Sequence, residues 1–315
     1  MAIDITIAIP THDRADLLAK TLASLRELLL PNGAEIECVV IDNASKDATS
    51  TVVADAAGDL PFDLRLIRER RLGSSFARNR AIAEARGDFI CFIDDDVIVE
   101  PRWLVELVGA LDRRRLDVAC GMVLPRFLAP PPSWLGTRLW VRLAVHDSAA
   151  IERMAPQEAE VLHNYFSANV GFRKEAFELF GTFREDLGVV GGNPISGEDT
   201  ELFARIIARG GAVGFAPRAR VHHLVGPERL TARYLRRKSF AFGIGSALTG
   251  GQTHNRIDKL VRNTVRMGLA AFRGDRESVI YHQLEIWNYM GYWRGRLIEA
   301  RKASPIPRSP ASRAR

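Results

Sequence analysis

The sequence predicts an α/β protein: a doubly wound, mostly parallel sheet followed by a helical C-terminal extension. Three observations predict it. Short apolar runs alternate with amphipathic stretches through the first third of the chain. One run, Phe89 to Ile93, is apolar throughout and lacks a helical stripe, as expected of a strand buried on both faces of a parallel sheet. Beyond Thr231 the strand-like runs cease, and helical, markedly basic segments follow.

Residues 3–10, IDITIAIP, read as the first strand, and Thr11 to Arg14 as a polar turn. Leu17, Leu18, Leu22, Leu25, Leu28 and Leu29 recur at helical spacing. Ile36 to Ile41 form a second strand closing on DNASKD, where Ser45 or Asp47 can cap a helix running to about Ala57. Leu64, Leu66 and Ile67 suggest a third strand, and Ser74 to Ala85 a helix leading into the central strand. A helix from Pro101 to Leu111 and a strand at Val118–Val123 continue the alternation. From Leu124 to Ser133, LPRFLAPPPS breaks regular structure, so residues 124–160 are expected to be an insertion or lid. Order returns at Tyr165–Phe172. A short helix, a Gly-rich loop, a helix from Glu198 to Gly210 and a short strand at Ala212–Ala216 come next, and RVHHLVGPERL closes this part.

The chemistry gathers at strand ends. Asp94, Asp95 and Asp96 terminate the central strand. Carboxylates this close repel one another, and a hard divalent cation such as Mg²⁺ or Mn²⁺ among them relieves the cost. Ligands of open α/β sheets bind outside the carboxyl ends of strands, where this cluster falls. The alternative is an acidic loop capping the helix that follows. Asp42 and Asn43 end the second strand on the same edge, where a carboxylate can accept from a pyrimidine N3–H or a ribose hydroxyl, or simply cap a helix. Arg78, beside Asn79 and Arg80, is a candidate for a diphosphate or one residue of a solvated basic face. Glu198 and Asp199 open an anchored helix and offer either a general base or dipole complementation. His222 and His223 are adjacent in an extended segment and point opposite ways, so at most one reaches the acidic edge; a structural role is the alternative.

Composition sets the frame. The 315 residues are 47% hydrophobic and 26% charged, ordinary for a globular protein, with a formal net charge of +6. The pI near 9.5 favours an anionic partner, a nucleotide or a phospholipid surface. The acidic edge argues against nucleic acid there. Cys38, Cys91 and Cys120 lie in apolar, strand-like contexts without CxxC spacing, as reduced core residues of a cytoplasmic protein do. No signal-peptide pattern and no run of about 18 apolar residues is visible.

Taken together, AIPTHDR at 8–14, VVIDNASKD at 39–47, ARNRAIAEARGDFICFIDDD at 77–96, SANVGFRKEAF at 167–177 and GEDTELFARIIARG at 197–210 resemble the family 2 glycosyltransferases, which have the GT-A fold. Each motif alone is weak; the ordered set, over roughly residues 3–225, is specific. One departure is Ala81, where the family commonly has Gly after RNR. The resemblance implies a hexosyltransferase-type enzyme using a nucleoside diphosphate sugar, with Pro10, Thr11, Arg14, Asp42, Asn43, Arg78, Asp94 and Asp95 at the donor. It implies Mg²⁺ or Mn²⁺ on Asp96 with Asp94 and His223 or His222, and Asp199 as base with Glu198 beside it. It also implies inversion by single displacement and an acceptor hydroxyl on a cell-surface glycan or lipid-linked molecule. The alternatives are a nucleotidyltransferase on sugar phosphates, for which IPTHDR offers no Lys-bearing loop, and a non-catalytic nucleotide-sugar binding protein.

The expected organisation is a catalytic domain at 1–228, with a nucleotide-sugar half to about 123, the insertion at about 124–160 and an acceptor half at 161–228. A basic helical region at 229–302 and a disordered tail at 303–315 follow. Arg229, Arg233, Arg236, Arg237 and Lys238 precede an apolar stretch, Phe240 to Leu248, and a second basic run spans Arg294 to Lys302. Peripheral contact with an anionic membrane, at the inner face of the cell membrane, is one expectation for this region; a homodimer contact is the other.

Overall fold

The computed structural model describes residues 4–154, 165–188, 195–250 and 257–303. β1 (Ile5–Thr11), α1 (Ala15–Ser24), β2 (Ile36–Asp42), α2 (Thr49–Ala56), β3 (Asp63–Arg68), α3 (Ser74–Glu84) and β4 (Phe89–Ile93) follow the expected alternation. The leucine periodicity overruns its helix. After a 3₁₀ turn at Leu25–Glu27, the Leu29 N–H donates to the Pro101 carbonyl at 2.8 Å, and the Leu29 side chain is exposed. Asp47, not Ser45, supports the start of α2, accepting from the Thr49 N–H at 3.1 Å and the Thr49 hydroxyl at 2.5 Å.

Next come β5 (Val97–Val99), α4 (Trp103–Arg113), β6 (Val118–Phe127), α5 (Ser148–Glu152), β7 (Asn169–Arg173), α6 (Lys174–Phe180), α7 (Glu198–Ala208) and β8 (Val213–Val225). β5 has no counterpart in the sequence reading, because three residues are too few to show a period. β6 runs through Leu124–Phe127 despite Pro125, a correction to the expected break. Beyond Cys120 β6 pairs only with β8, so Pro125 has no second neighbour whose ladder needs its missing N–H. The short strand expected at Ala212–Ala216 is longer, running on into RVHHLV as one strand, β8, whose pairing with β6 shifts register between Gly121 and Met122.

Among the described residues the eight strands form one sheet in the order β3-β2-β1-β4-β7-β6-β8-β5. β3, β2, β1 and β4 are parallel neighbours, as are β6 and β8; β7 and β5 run antiparallel to theirs. The chain leaves β1 toward β2 on one side and later returns to β4 on the other. That switch point opens a crevice at the carboxyl ends of β1 and β4. Phe172, fully buried, meets Phe92 edge-on at 6.0 Å and stacks on Phe203 at 6.2 Å, tying β4, β7 and α7 into one core. Asn169 on β7 accepts from the Trp103 indole at 2.7 Å and donates to the Met122 and Ala219 carbonyls, joining α4, β6 and β8.

Part of the expected lid is anchored. The His146 ring accepts from the Val123 N–H at 2.9 Å, the backbone N–H of His146 returns a bond to the Val123 carbonyl, and Leu135, Leu139 and Leu143 are buried. Residues 155–164, most of the Gly-rich loop (189–194) and the tail from 304 lie outside the described residues.

The chain divides into two compact units, residues 1–235 and 236–315, and the boundary falls inside α8 (Ala232–Leu248). The second unit holds the rest of α8 with α9 (Ile257–Phe272) and α10 (Arg276–Ala303). A Cβ on Gly243 would lie 1.9 Å from the Asn288 carbonyl oxygen, and one on Gly291 2.0 Å from that of Phe240, so glycine is what lets α8 and α10 cross this closely. Ala241, Ile244, Ala247 and Leu248 are buried. The apolar stretch that the sequence singled out is therefore interior to the helical unit.

Candidate active site

Four side chains, from the ends of β1 and β4 and the turn after β1, meet at the crevice. The Thr11 hydroxyl, at the end of β1, donates to Asp95 Oδ2 at 2.7 Å. Arg14, in the turn before α1, forks across the cluster, reaching Asp95 Oδ1 at 2.7 Å and Asp96 Oδ2 at 2.6 Å. β8 and the 3₁₀ turn that follows it bring two more groups from more than 120 residues away. His223 Nε2 lies 3.2 Å from Asp96 Oδ2, and Arg229 donates to that oxygen at 2.7 Å while its other terminal nitrogen meets His223 Nε2 at 2.6 Å. The adjacent His222 points the other way, to Glu100 at 3.1 Å, as alternation along a strand requires.

The charges are strongly coupled. Burial works against the Asp96 charge, but His223, Arg229 and Arg14 hold its carboxyl far below the ordinary carboxylate range. Burial pushes the Asp95 carboxyl up to about 7, with Arg14 opposing and Asp96 adding to the rise. The mutual repulsion that the sequence reading assigned to a bound cation is thus already met by two arginines. Among the described residues no group of three or more His, Cys, Asp or Glu stands ready to hold an ion. Even so, Asp96 Oδ1 and His223 Nδ1 are buried without a partner, and Asp94 is the most exposed of the three aspartates. An ion that takes one or two protein donors, with substrate phosphates and water completing the shell, fits Asp96 and His223.

A second cluster adjoins the first through Arg78 on α3. Its buried guanidinium donates to Glu198 Oε1 at 2.8 Å, to the Ser167 hydroxyl at 3.0 Å and to Asp94 Oδ1 at 3.4 Å. Burial opposes its charge, but Glu198, Asp94 and Asp199 hold its pKa above the ordinary value. Sequence reasoning offered Arg78 to a diphosphate; here it is a strut joining the end of β4 to the start of α7. Glu198 is fully engaged, accepting also from the Ser74 hydroxyl at 3.0 Å and the Gly197 N–H at 3.1 Å. Gly197 precedes α7 with φ +111°, a conformation open to glycine and few others, and so starts the helix in the direction that presents both acids. Asp199 is freer. It accepts from the Thr200 N–H at 2.7 Å and, distantly, from the Thr200 hydroxyl and the Ser167 N–H, both at 3.4 Å. Burial and then the neighbouring Glu198 raise its pKa, with Arg78 opposing.

The remaining candidates take different places. Asp42 ends β2, buried, accepting from the Ser45 N–H at 2.8 Å with Arg68 at 3.7 Å. Asn43 is committed to the loop before α3, donating to the Arg71 carbonyl at 2.7 Å and accepting from the Gly73 N–H at 2.8 Å. Pro10 lies within β1, paired with Ile41. Arg229 is the residue that sequence reasoning did not assign to the site, having grouped it with the basic run that follows. Its signal was its place six residues after His223, just past a long strand.

A crevice at this switch point, lined by a strand-end carboxylate triplet and faced by an acidic helix start, is that of a GT-A glycosyltransferase. The sequence profile of Glycosyl transferase family 2 matches residues 6–180, and the chain belongs to that family. It is 28% identical over 255 residues to the succinoglycan biosynthesis protein ExoM of Rhizobium meliloti, covering 80% of this chain and 74% of that protein. It is 22% identical over 242 residues to the glucosyl-dolichyl phosphate glucuronosyltransferase of Haloferax volcanii, covering 76% and 74%. Its fold matches the mannosyltransferase PcManGT from Pyrobaculum calidifontis, solved in complex with GDP-Man and Mn²⁺. That match has a TM-score of 0.61 and 20% identity, over 98% of this chain and 77% of that one. The chain is a glycosyltransferase, and the nucleotidyltransferase and binding-protein alternatives fall.

Proposed function

We propose that this glycosyltransferase moves a sugar from a nucleoside diphosphate to an acceptor hydroxyl by metal-assisted single displacement, with inversion at the anomeric carbon. The observation that carries the reading is the Arg78 bridge, which sets the Asp94–Asp96 edge beside the Glu198–Asp199 helix start. Donor and base can then face one reacting carbon from opposite sides. Asp42 offers a carboxylate to the base or ribose, and Asp94, the most exposed of its cluster, to the ribose. Arg14 and Arg229 concentrate positive charge where the diphosphate would lie. An Mg²⁺ or Mn²⁺ ion held by Asp96 and His223 supplies, when bound, further positive charge beside the departing diphosphate. Asp199 takes the proton from the acceptor oxygen as that oxygen attacks, because Glu198 is pinned by three donors at 2.8 to 3.1 Å, whereas of the donors to Asp199 only the Thr200 N–H comes closer than 3.4 Å.

The biological setting is proposed from the relatives: assembly of a cell-surface polysaccharide or a lipid-linked glycan. An acceptor of the second kind calls for contact with a membrane. No helix among the described residues is long and apolar enough to cross one, so that contact would be peripheral. Incubation with a panel of nucleoside diphosphate sugars, Mn²⁺ and lipid-linked or soluble acceptors, with free nucleoside diphosphate as readout, tests the reading. Release from at least one donor, increased by an acceptor, supports it; release from none overturns it.

A further inference from the structure

α9 carries its apolar residues in the wrong place for a helix that only packs inward. Ile257, Val261, Val265 and Leu269 follow at intervals of four and Phe272 at three, so they form one stripe along the helix. Each is between 52% and 93% exposed. The inward side of α9 is a different one, with Ala270 buried and Asn263 paired to His282 of α10 at 2.8 Å. By the helical period, Lys259, Arg262, Arg266 and Arg273 line up along one flank of the stripe, between it and the packed side. Asp258, in the first turn, is the helix's sole acid.

We infer that the α9 stripe is the element by which this chain lies on the anionic surface of a lipid bilayer. The inference rests on the membrane contact proposed above and names the surface that makes it. A helix with exposed apolar residues on one side and Lys and Arg beside them settles in the interface plane. The apolar stripe enters the acyl boundary and the basic flank meets the lipid phosphates. Charge selects this occupant over a second copy of the chain. An antiparallel two-fold contact through the stripe would set the Arg262–Arg266 flank beside its own symmetry mate, like charge against like, whereas an anionic bilayer complements it. The apolar run at Phe240–Leu248 is not available for this role, since it faces the interior of the helical unit.

The test uses the full chain in co-sedimentation with phosphatidylglycerol and with phosphatidylcholine vesicles, at low and at physiological salt. Val265→Glu with Leu269→Glu should lower the partition onto phosphatidylglycerol at least tenfold. Arg262→Gln with Arg266→Gln should flatten its salt dependence. All four residues stand outside the core, and circular dichroism checks the fold. An environment-sensitive dye on Val265→Cys should shift to the blue on phosphatidylglycerol vesicles; the three native cysteines are buried. Wild-type binding that the α9 variants leave unchanged overturns this assignment while the membrane contact stands, and loss through Leu297→Glu instead would move the contact to α10. No wild-type binding at low salt overturns both. A dimer in sedimentation velocity that Val265→Glu dissociates, with vesicle binding intact, gives the stripe to a second copy and overturns the inference.

Discussion

Two buried carboxylate clusters stand at opposite ends of the same parallel strands, and their difference separates structure from chemistry. At the amino end, Glu37 of β2 is fully buried. One of its oxygens accepts from the Thr6 hydroxyl at 2.9 Å and the Arg86 N–H at 2.8 Å, while the other faces Arg65 at 3.1 Å. That second oxygen makes no hydrogen bond, but it is held between two cations, Arg65 at 3.1 Å and Arg86 at 3.8 Å, so each oxygen of Glu37 has its partners. At the carboxyl end, Asp96 is as deeply buried, but its two arginines both meet Oδ2, and Oδ1 has neither a hydrogen bond nor one of those cations. A buried acid with both oxygens paired is a joint between strands. One left half-used at the mouth of a crevice is a site.

The largest effect expected from breaking this contrast is at Asp96. Asp96→Asn should cut transfer by about 10³-fold, as loss of an electrostatic group at a reacting centre does, with the fold retained in circular dichroism. Next is Asp199→Asn, at about 10²-fold in turnover with donor affinity nearly preserved; a collapse of donor affinity instead would make Asp199 a binding residue. The pH profile sharpens this prediction. Burial and Glu198 raise the folded-state pKa of Asp199, so the basic form should be lost, and activity with it, as pH falls through a value above that of an ordinary aspartate. The same shift stabilises the fold fully below the unfolded pKa, and that stability is lost as pH rises through the folded one. Asp199→Asn should remove both the acid limb of activity and this stability term. His223→Ala should cost about tenfold in activity, in line with loss of a supporting group at a metal site, and His222→Ala should cost nearly nothing.

Smallest in activity is Glu37→Gln. It should lower stability by about 3 kcal/mol in urea unfolding, since Arg65 is left without its counter-charge, while turnover per folded molecule stays within twofold. Normal stability with lost turnover would place chemistry at the wrong end of the sheet.

The first half of the sheet was legible because β1, β2 and β4 carry apolar runs, Ile7–Pro10, Cys38–Ile41 and Phe89–Ile93, and each run is followed by a polar residue of the crevice. Asp42, Asp94–Asp96 and Glu198–Asp199 could be found for the same reason: acids at strand ends and at a helix start interrupt a local pattern. What joins them was not legible. Arg78 looks on paper like any basic residue of a helix face, and only the fold brings Glu198 from 120 residues away to turn it inward. Arg229 was hidden by neighbours of like charge, and β5 by its length. Pro125 misled because a proline's cost depends on which side of the strand is paired, a property of the sheet and not of the residue. The helical unit misled more. Its evident apolar segment is interior, while the exposed stripe on α9 is spread at intervals of four among arginines.

The central claim is that the carboxyl end of these strands binds the donor's diphosphate and the amino end does not. Calorimetric titration of nucleoside diphosphates with Mn²⁺ into the wild type, Asp96→Asn and Glu37→Gln tests it directly. The account predicts binding of at least one nucleoside diphosphate that needs Mn²⁺, weakens tenfold or more in Asp96→Asn and is unchanged in Glu37→Gln. Equal binding in Asp96→Asn, or binding indifferent to Mn²⁺, would contradict it.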